Sequence, residues 1–338
     1  AGFGGVAEYG ITVRWDKNFL NVVRLLLERR AEFLMFGGVR FGGTLDAEQA
    51  FQMGFDHIAL AMGAGRPTIL NIPNALARGV RTASDFLMAL QLTGAAKSDS
   101  LANMQLRLPV LVIGGGLTGI DTATESLAYY PVQVEKFLAR FESLCAQRGE
   151  ATIRASWAAE ESEIGDEFIR HAKAIRAERA RAAATGTPAR ILELLNSWGG
   201  VTLAYRKRMF DSPAYTLNHE EIEKALEEGI VYAECLNPQA VVVDSFGAAC
   251  AMKFRAQVRD ADGKWSDGEE VTLPGRAIFV AAGTHPNTVL AREDATHFKL
   301  DGRYFAACDE AGTPLRPEPG ISKPAQPDIL LSKGHSGK

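Results

Sequence analysis

The sequence is poor in the residue types that build disulfide and metal sites. Its four cysteines, Cys145, Cys235, Cys250 and Cys308, lie far apart and form no CxxC pair, so neither a redox disulfide nor a cluster-binding motif is predicted. Histidine is scarce, and His219 in "NHEEIEKALEEG" lacks the second histidine that a metalloprotease helix requires. We expect buried reduced thiols and no protein-bound metal.

Long apolar runs and a strong net charge are absent too. No uninterrupted apolar stretch approaches the roughly 20 residues that span a bilayer, and the N-terminus lacks the regions of a signal peptide. The formal net charge of −4 gives no general attraction to nucleic acid. We therefore expect a cytoplasmic globular protein that binds neither membranes nor nucleic acid.

The strongest motif that is present is "VLVIGGGLTG". Here Gly114, Gly116 and Gly119 form GxGxxG between an apolar run and a helical pattern. The first two glycines permit a tight turn and close approach of a pyrophosphate to backbone N–H groups, while the third lets helix and strand pack closely. The helix N-terminus adds partial positive charge. The motif predicts a dinucleotide site, and the alternative is a glycine-rich turn without a ligand.

The segment after this motif decides where the next strand lies. If "VQVE" were that strand, Glu135 would stand about 20 residues past the glycines, where an acid holds the ribose of NAD. From Val134 to Leu144, however, apolar residues recur three and four apart, which is typical of a helix. Pro131 suits the first turn of such a helix. We therefore reject Glu135 as a ribose ligand.

Helical patterns continue until "VTLAY", residues 201–205, which is the next strand. The sequence thus predicts an inserted helical subdomain over 131–197. The strand ends in "YRKR", without an acid. Arg206 and Lys207 can pair with a 2′-phosphate, which favours NADP(H) over NAD(H). The alternative is a solvated basic face after a strand.

Other segments predict the remaining elements. Ser84 and Asn218 are placed to cap helices, and Asp-Gly turns after residue 251 predict an antiparallel meander. "FDHIALAMGAG" and "RAIFVAAGTHPNT" both look like buried strands that end in small-residue turns, at 61–65 and 281–287. Small residues at a strand's carboxyl end let a flat cofactor approach closely.

Taken in order, these motifs resemble the flavin-dependent pyridine nucleotide oxidoreductases of the glutamate synthase small-subunit type. The resemblance covers residues 1 to about 290 and rests on "GGVAEYGI" (4–11), "ALAMGAGRP" (59–67), "VLVIGGGLTGID" (110–121), "VTLAYRKR…SPA…EEIEKALEEGI" (201–230) and "IFVAAGTHPNT" (278–288).

The resemblance implies an α/β protein with two nested three-layer ββα, Rossmann-like domains, in which hydride passes from NADPH to FAD. The residues implied around the NADPH pyrophosphate are Gly114, Gly116, Leu117, Thr118 and Gly119, with Arg206 and Lys207 at the 2′-phosphate. Those implied around the flavin are Gly5, Tyr9, Gly10, Gly63, Ala64 and Gly283. The implied domains are a partial FAD-binding domain (1–107 and 272–310), an NADPH-binding domain (108–271) that contains the insertion (131–197), and a tail or linker (311–338).

The sequence departs from this family in several ways. The family's own first strand and GxGxxG for FAD are missing before residue 1, its closing Gly-Asp motif is missing after residue 300, and Leu117 replaces a common Asn. The cysteine clusters of iron–sulfur relatives are missing as well. We interpret the chain as an internal fragment of a longer flavoprotein.

Two functions follow from these patterns. In the first, the chain is the NADPH-binding part of a flavin-dependent oxidoreductase that passes electrons to a partner protein or fused module. In the second, it is a non-catalytic nucleotide-binding or scaffold fragment whose insertion is a docking surface.

Overall fold

The computed structural model describes residues 19–259, 263–309 and 312–315 of the chain. They divide into two compact units. The described part of the larger unit is 19–22, 68–259 and 263–283, and that of the smaller unit is 23–67, 284–309 and 312–315.

Both helices and strands occur along the described part of the chain. The helices are α1 (Phe19–Glu28), α2 (Ala47–Gln52), α3 (Ala83–Leu92), α4 (Leu117–Arg148), α5 (Glu150–Ala155), α6 (Ala159–Thr185), α7 (Ile191–Ser197), α8 (Pro213–Glu227) and α9 (Leu290–Glu293), with a 3-10 helix at Met209–Asp211. The strands are β1 (Arg66–Pro67), β2 (Val80–Thr82), β3 (Val110–Ile113), β4 (Val201–Ala204), β5 (Val231–Ala233), β6 (Leu236–Val243), β7 (Ala249–Arg259), β8 (Trp265–Pro274), β9 (Ala277–Val280), β10 (Thr284–His285), β11 (Leu300–Asp301) and β12 (Tyr304–Phe305).

The larger unit is built on a parallel sheet with the strand order β2-β9-β3-β4-β5. Every residue of β3 and β9 is buried, as expected for strands that are covered on both faces. Because all five strands are parallel, their carboxyl ends meet at one edge of the sheet, which we call the carboxyl edge.

The two faces of this sheet are covered by different layers, helices on one face and an antiparallel sheet on the other. Phe86 of α3, Ile120 of α4 and Ile222 of α8 pack with Val112 on one face. On the other face, Leu111, Ile278, Met252 and Phe254 form a second core with the meander of β6, β7 and β8. The predicted meander is confirmed, and the three layers are helices, parallel sheet and antiparallel sheet.

The division into units differs from the predicted boundaries at 107/108 and 271/272. Strands β2 and β9 were assigned to the partial FAD-binding domain, but β9 pairs with β2 on one side and with β3 on the other. Residues 68–107 and 272–283 therefore belong with the glycine-motif strand, since removing β9 would split the parallel sheet.

Helix α4 also differs from its prediction. It runs without a break from Leu117 to Arg148, so Pro131 lies inside it and does not begin a new helix. Proline lacks an N–H, so the helix loses one hydrogen bond there. The buried side chains of Tyr130, Val134 and Leu138 continue the helix on both sides of the proline, and this packing outweighs the loss.

The predicted insertion, 131–197, has an aromatic core of its own. The His171 ring stacks on Trp198 with ring centroids 3.7 Å apart, and its Nδ1 lies 2.7 Å from the hydroxyl oxygen of the buried Tyr130. Burial lowers the pKa of His171 to about 4, so this ring is neutral near pH 7. The insertion is therefore packed onto α4 as part of the larger unit.

Three glutamates on α6 form ion pairs at the edge of the sheet where the strands begin, which lies opposite the carboxyl edge. Glu160, Glu163 and Glu167 recur at helical spacing and form an acidic row. Their partners are three arginines that stand just before β2, β3 and β9, namely Arg78, Arg107 and Arg276. Arg78 Nη1 lies 2.6 Å from Glu160, and Arg107 Nη2 lies 2.9 Å from Glu167. The amino ends of three strands thus contact one inserted helix.

Two helix caps fall at other residues than predicted. Thr82, not Ser84, caps α3, because its Oγ1 accepts a hydrogen bond from the Asp85 N–H at 3.2 Å. Ser212 caps α8, and Asn218 lies inside that helix at a kink with φ −160° and ψ 80°. Pro213 at the first helical position supports the earlier start.

In the smaller unit, the predicted buried strand "FDHIALAMGAG" is not formed. Residues 56–65 have no strand assignment, and most of them are exposed. A strand needs hydrogen-bonding neighbours, and the strands described in the smaller unit are already paired, β1 with β10 and β11 with β12. Across the whole described part of the chain, no helix has both the length and the apolar character needed to cross a membrane.

Candidate functional site

The glycine turn after β3 bends sharply at Gly114. This residue has φ +143°, a conformation that other residues rarely adopt, and a Cβ here would lie 2.2 Å from the Ala281 carbonyl oxygen. A Cβ at Gly119 would lie 2.8 Å from the Gly114 carbonyl oxygen. Packing inside the turn therefore requires the first and third glycines of the motif.

Open space lies beside the middle glycine, Gly116. It is the N-cap of α4, and apart from Gly116 itself and its two chain neighbours no atom lies within 4 Å of an ideal Cβ at this position. Leu117 and Thr118 begin the helix, whose first turn contains no acidic residue. The first N–H groups of a helix have no intrahelical acceptor and carry the positive end of its dipole. A pyrophosphate can approach the backbone here.

A second turn of small residues follows β9 beside the glycine turn. The Ala281 N–H donates to the Ile113 carbonyl at 2.7 Å, which fixes it next to Gly114. Gly283 has φ +97°, and its carbonyl accepts from the Thr68 N–H at 2.9 Å. The structure thus brings Gly283, which the resemblance placed near a flavin, to the same edge as the glycine turn.

On the other side, the end of β4 carries Arg206 and Lys207, which we call the basic pair. Both are exposed. Arg208, in contrast, is bound to Asp211 with its Nε 2.9 Å from a carboxylate oxygen, and this hydrogen bond lowers the pKa of Asp211. Within the described residues, no ion pair or side-chain hydrogen bond uses either member of the basic pair. Two cationic side chains are therefore free to meet an anionic ligand.

Glu135 lies far from this edge, as its rejection from the site requires. It follows Leu117 by 18 residues in one continuous helix, which corresponds to about 27 Å along the helix axis. Its carboxylate pairs with Arg179 of α6 at 2.9 Å. The prediction that this segment is a helix and not a strand is confirmed.

None of the remaining predicted residues belongs to the described part of the larger unit. Gly63 and Ala64 belong to the smaller unit, where the Gly63 carbonyl accepts from the Asn287 N–H at 3.2 Å. Gly5, Tyr9 and Gly10 lie outside the described residues. The predicted tail, 311–338, also lies outside them except for 312–315.

Two further contacts of the glycine turn were not predicted from the sequence. The Ala214 N–H in the first turn of α8 donates to the Gly115 carbonyl at 3.2 Å, and the ring of Tyr205 lies against Gly115. The Ser-Pro pair at 212–213 is the sequence signal that could have located the start of α8. No local sequence pattern predicts the contact of Tyr205 with Gly115, because it joins two segments about 90 residues apart.

This arrangement can bind an anionic dinucleotide. It offers a bare glycine backbone, a helix N-terminus and two free cations along one edge of the sheet, and these fit the pyrophosphate and 2′-phosphate of NADP(H). Among the residues that the structure describes, no group of three or more His, Cys, Asp or Glu side chains is placed to hold a metal.

Among curated proteins, the chain is similar to the uncharacterized protein RP006 of Rickettsia prowazekii (strain Madrid E). The two are 45% identical over 325 residues, which cover 92% of this chain and 44% of that protein. The chain thus spans less than half of this relative. No protein-family model matches the chain.

Among solved structures, the chain is similar to FprA from Mycobacterium tuberculosis, an oxidoreductase. One FprA structure matches with a TM-score of 0.50 and 14% identity over 92% of this chain and 67% of FprA. Another, of FprA in complex with NADPH, matches with a TM-score of 0.49 and 12% identity over 92% of this chain and 66% of FprA. The match with the TM-score of 0.50, together with the parallel sheet between its two layers, confirms the predicted α/β Rossmann-like fold.

Proposed function

We propose that the larger unit binds NADP(H) at the carboxyl edge of its parallel sheet. One observation carries this proposal: the open glycine turn at Gly116 and the basic pair, which has no ion-pair partner among the described residues, follow neighbouring strands, β3 and β4, at the same edge. The turn takes the pyrophosphate on backbone N–H groups, and the basic pair takes the 2′-phosphate. The fold shared with FprA supports this assignment.

Replacing both members of the basic pair by alanine is expected to weaken NADPH binding selectively. Charge-assisted hydrogen bonds contribute about 1.5–3 kcal/mol, so the Arg206→Ala/Lys207→Ala variant should lose about 10- to 100-fold in NADPH affinity. NADH affinity should stay unchanged, since NADH has no 2′-phosphate. Isothermal titration with each coenzyme measures both constants.

Arg208→Ala is the matched control for this experiment. Arg208 belongs to the same basic stretch but is already bound to Asp211, so its removal should leave the ratio of NADPH to NADH affinity in place. Two results would contradict the assignment of the 2′-phosphate to the basic pair. One is equal affinity of the unaltered chain for the two coenzymes, and the other is an unchanged affinity ratio in the double variant.

We further propose that this unit serves a flavoprotein of the glutamate synthase small-subunit type. NADPH bound here would pass hydride to FAD, and electrons would go on to a partner protein or a fused module. The resemblance of 1–290 to that family supports this, as does the longer relative, of which the chain spans 44%. The cofactors supply the redox chemistry, and the protein positions them.

The visible spectrum tests this finer proposal. The chain should acquire a flavin absorption band after incubation with FAD and gel filtration, and NADPH should bleach that band under anaerobic conditions. Retention of no FAD by this chain, with NADPH binding intact, favours the non-catalytic nucleotide-binding fragment. In that outcome, the same measurement on the full natural polypeptide decides whether the parent is a flavoprotein.

A further inference from the structure

Gly115 is the one glycine of the turn that the GxGxxG motif does not require. A Cβ at this position would lie 2.7 Å from Cγ and Cδ2 of the Tyr205 ring, which is closer than side-chain carbons approach. Tyr205 directly follows β4 and directly precedes the basic pair. Gly115 therefore has to be bare because an aromatic ring occupies the space beside it.

The backbone around Tyr205 is fixed to the neighbouring strand. Its N–H donates to the Ala233 carbonyl at 2.9 Å, and its carbonyl accepts from the Leu236 N–H at 2.9 Å. One step further, the Lys207 carbonyl accepts from the Cys235 N–H at 3.1 Å. The basic pair is thus held in the sheet, and the Tyr205 ring is the side chain that joins this strand end to the glycine turn.

The opposite side of Gly115 is held as well. Its carbonyl accepts from the Ala214 N–H of α8, so the turn lies between a helix on one side and the ring on the other. The ring is half-buried, and burial raises the pKa of the Tyr205 phenol. No hydrogen bond of the phenol oxygen is found within the described residues. The contact depends on the shape of the ring and not on its hydroxyl.

We propose that Tyr205 is a positioning residue for coenzyme selection: its ring sets the spacing between the glycine turn and the basic pair. NADP(H) has to place its pyrophosphate on the turn and its 2′-phosphate on the pair at the same time, whereas NAD(H) needs only the turn. A change in this spacing therefore reduces NADPH binding more than NADH binding. This inference rests on the proposed function.

The test is the ratio of NADPH to NADH affinity in Tyr205 variants. Tyr205→Ala removes the spacer, and the ratio should fall by about tenfold or more through loss of the charge-assisted contacts to the 2′-phosphate. Tyr205→Phe keeps the ring and should keep the ratio. A purely structural role would weaken both coenzymes alike and leave the ratio unchanged, and that result overturns the proposal.

Gly115→Ala approaches the same contact from the other side. Its methyl group would displace the Tyr205 ring, so the ratio of NADPH to NADH affinity should fall in Gly115→Ala too. This variant provides the test if Tyr205→Ala does not fold. In the Gly115→Ala/Tyr205→Ala double variant the collision disappears. Its loss of binding free-energy difference between NADPH and NADH should therefore be smaller than the sum of the losses in the two single variants. Strictly additive losses, or an unchanged ratio in Gly115→Ala, refute the spacer.

Tyr304→Ala controls for the loss of a tyrosine as such, because Tyr304 is exposed and belongs to the smaller unit. If the unaltered chain binds NADPH no more tightly than NADH, the proposed function fails. If it discriminates and Tyr205→Ala discriminates equally well, this inference alone fails.

Discussion

Gly114→Ala is expected to abolish coenzyme binding and to lower the free energy of unfolding by about 3 kcal/mol. The added methyl group would lie 2.2 Å from the Ala281 carbonyl oxygen, and that atom belongs to backbone, so it cannot rotate away as a side chain would. The Ala281 N–H also donates a hydrogen bond to the Ile113 carbonyl at 2.7 Å. The residue would also have to adopt φ +143°. The turn, β3 and β9 must therefore shift together.

Gly116→Ala separates the two effects. Apart from Gly116 itself and its chain neighbours, no atom lies within 4 Å of a Cβ at Gly116, and its φ is −96°, so this variant should unfold at the temperature of the unaltered chain. Its methyl group still occupies the space that a pyrophosphate needs, so NADPH binding should weaken. Thermal unfolding and NADPH titration of both variants provide the comparison. A Gly114→Ala protein with unaltered stability and NADPH affinity would show that the turn is not built as described.

The glycine turn was predictable because its requirements are local. An apolar run, three spaced glycines and a helical pattern lie within about 20 residues, and each has one physical reason. The same local reasoning identified the segment from Pro131 to Cys145 as helix, because helical spacing is visible in a short window. It also placed the basic pair at the end of β4, once the intervening segments were recognised as helical.

Contacts between distant segments were not predictable in this way. The strand whose end lies beside Gly114 is β9, which follows it by more than 160 residues. Assigning β9 to another domain was therefore natural from the sequence, whereas in the structure it pairs with β3. The contact of Tyr205 with Gly115 has the same origin. Residues 56–65 show the converse case, because their apolar sequence favours a strand while the described residues provide no partner strand.

The acidic row shows how the insertion is bound to the rest of the larger unit. Its acidic row on α6 meets arginines that precede three strands, while the glycine turn and the basic pair lie where the strands end. In a parallel sheet these are opposite edges. The acidic row of the insertion therefore contributes to the stability of the sheet from the edge opposite the candidate coenzyme site, and changes in the two regions should have separable effects.

Glu167→Ala should show this separation with the largest loss of stability in the acidic row. The Glu167 carboxylate has a side-chain exposure of 6% and binds both Arg107 and Arg276. Its removal leaves the buried Arg107 with Glu163 alone, and the loss of a hydrogen bond to a charged group lowers the free energy of unfolding by about 1.5–3 kcal/mol. Urea unfolding measures the loss. NADPH affinity of the folded variant should remain unchanged.

Glu163→Ala is the matched control, because Glu163 binds the same Arg107 but has a side-chain exposure of 56%. Exposed ion pairs contribute about 0–1 kcal/mol, so this variant should lose little stability. Equal losses in the two variants would mean that burial does not determine the strength of this contact.

The pH dependence of stability provides an independent check on the burial of Glu167. Burial raises the pKa of this carboxyl from 4.5 to about 7, against the opposing effect of Arg107. Between these pH values the folded chain binds a proton that the unfolded chain has released. The contribution of Glu167 to the free energy of unfolding therefore falls as pH rises from 4.5 to about 7. Glu167→Ala lacks this group, so the stability difference between the two proteins should narrow with rising pH, and parallel profiles would contradict the assignment.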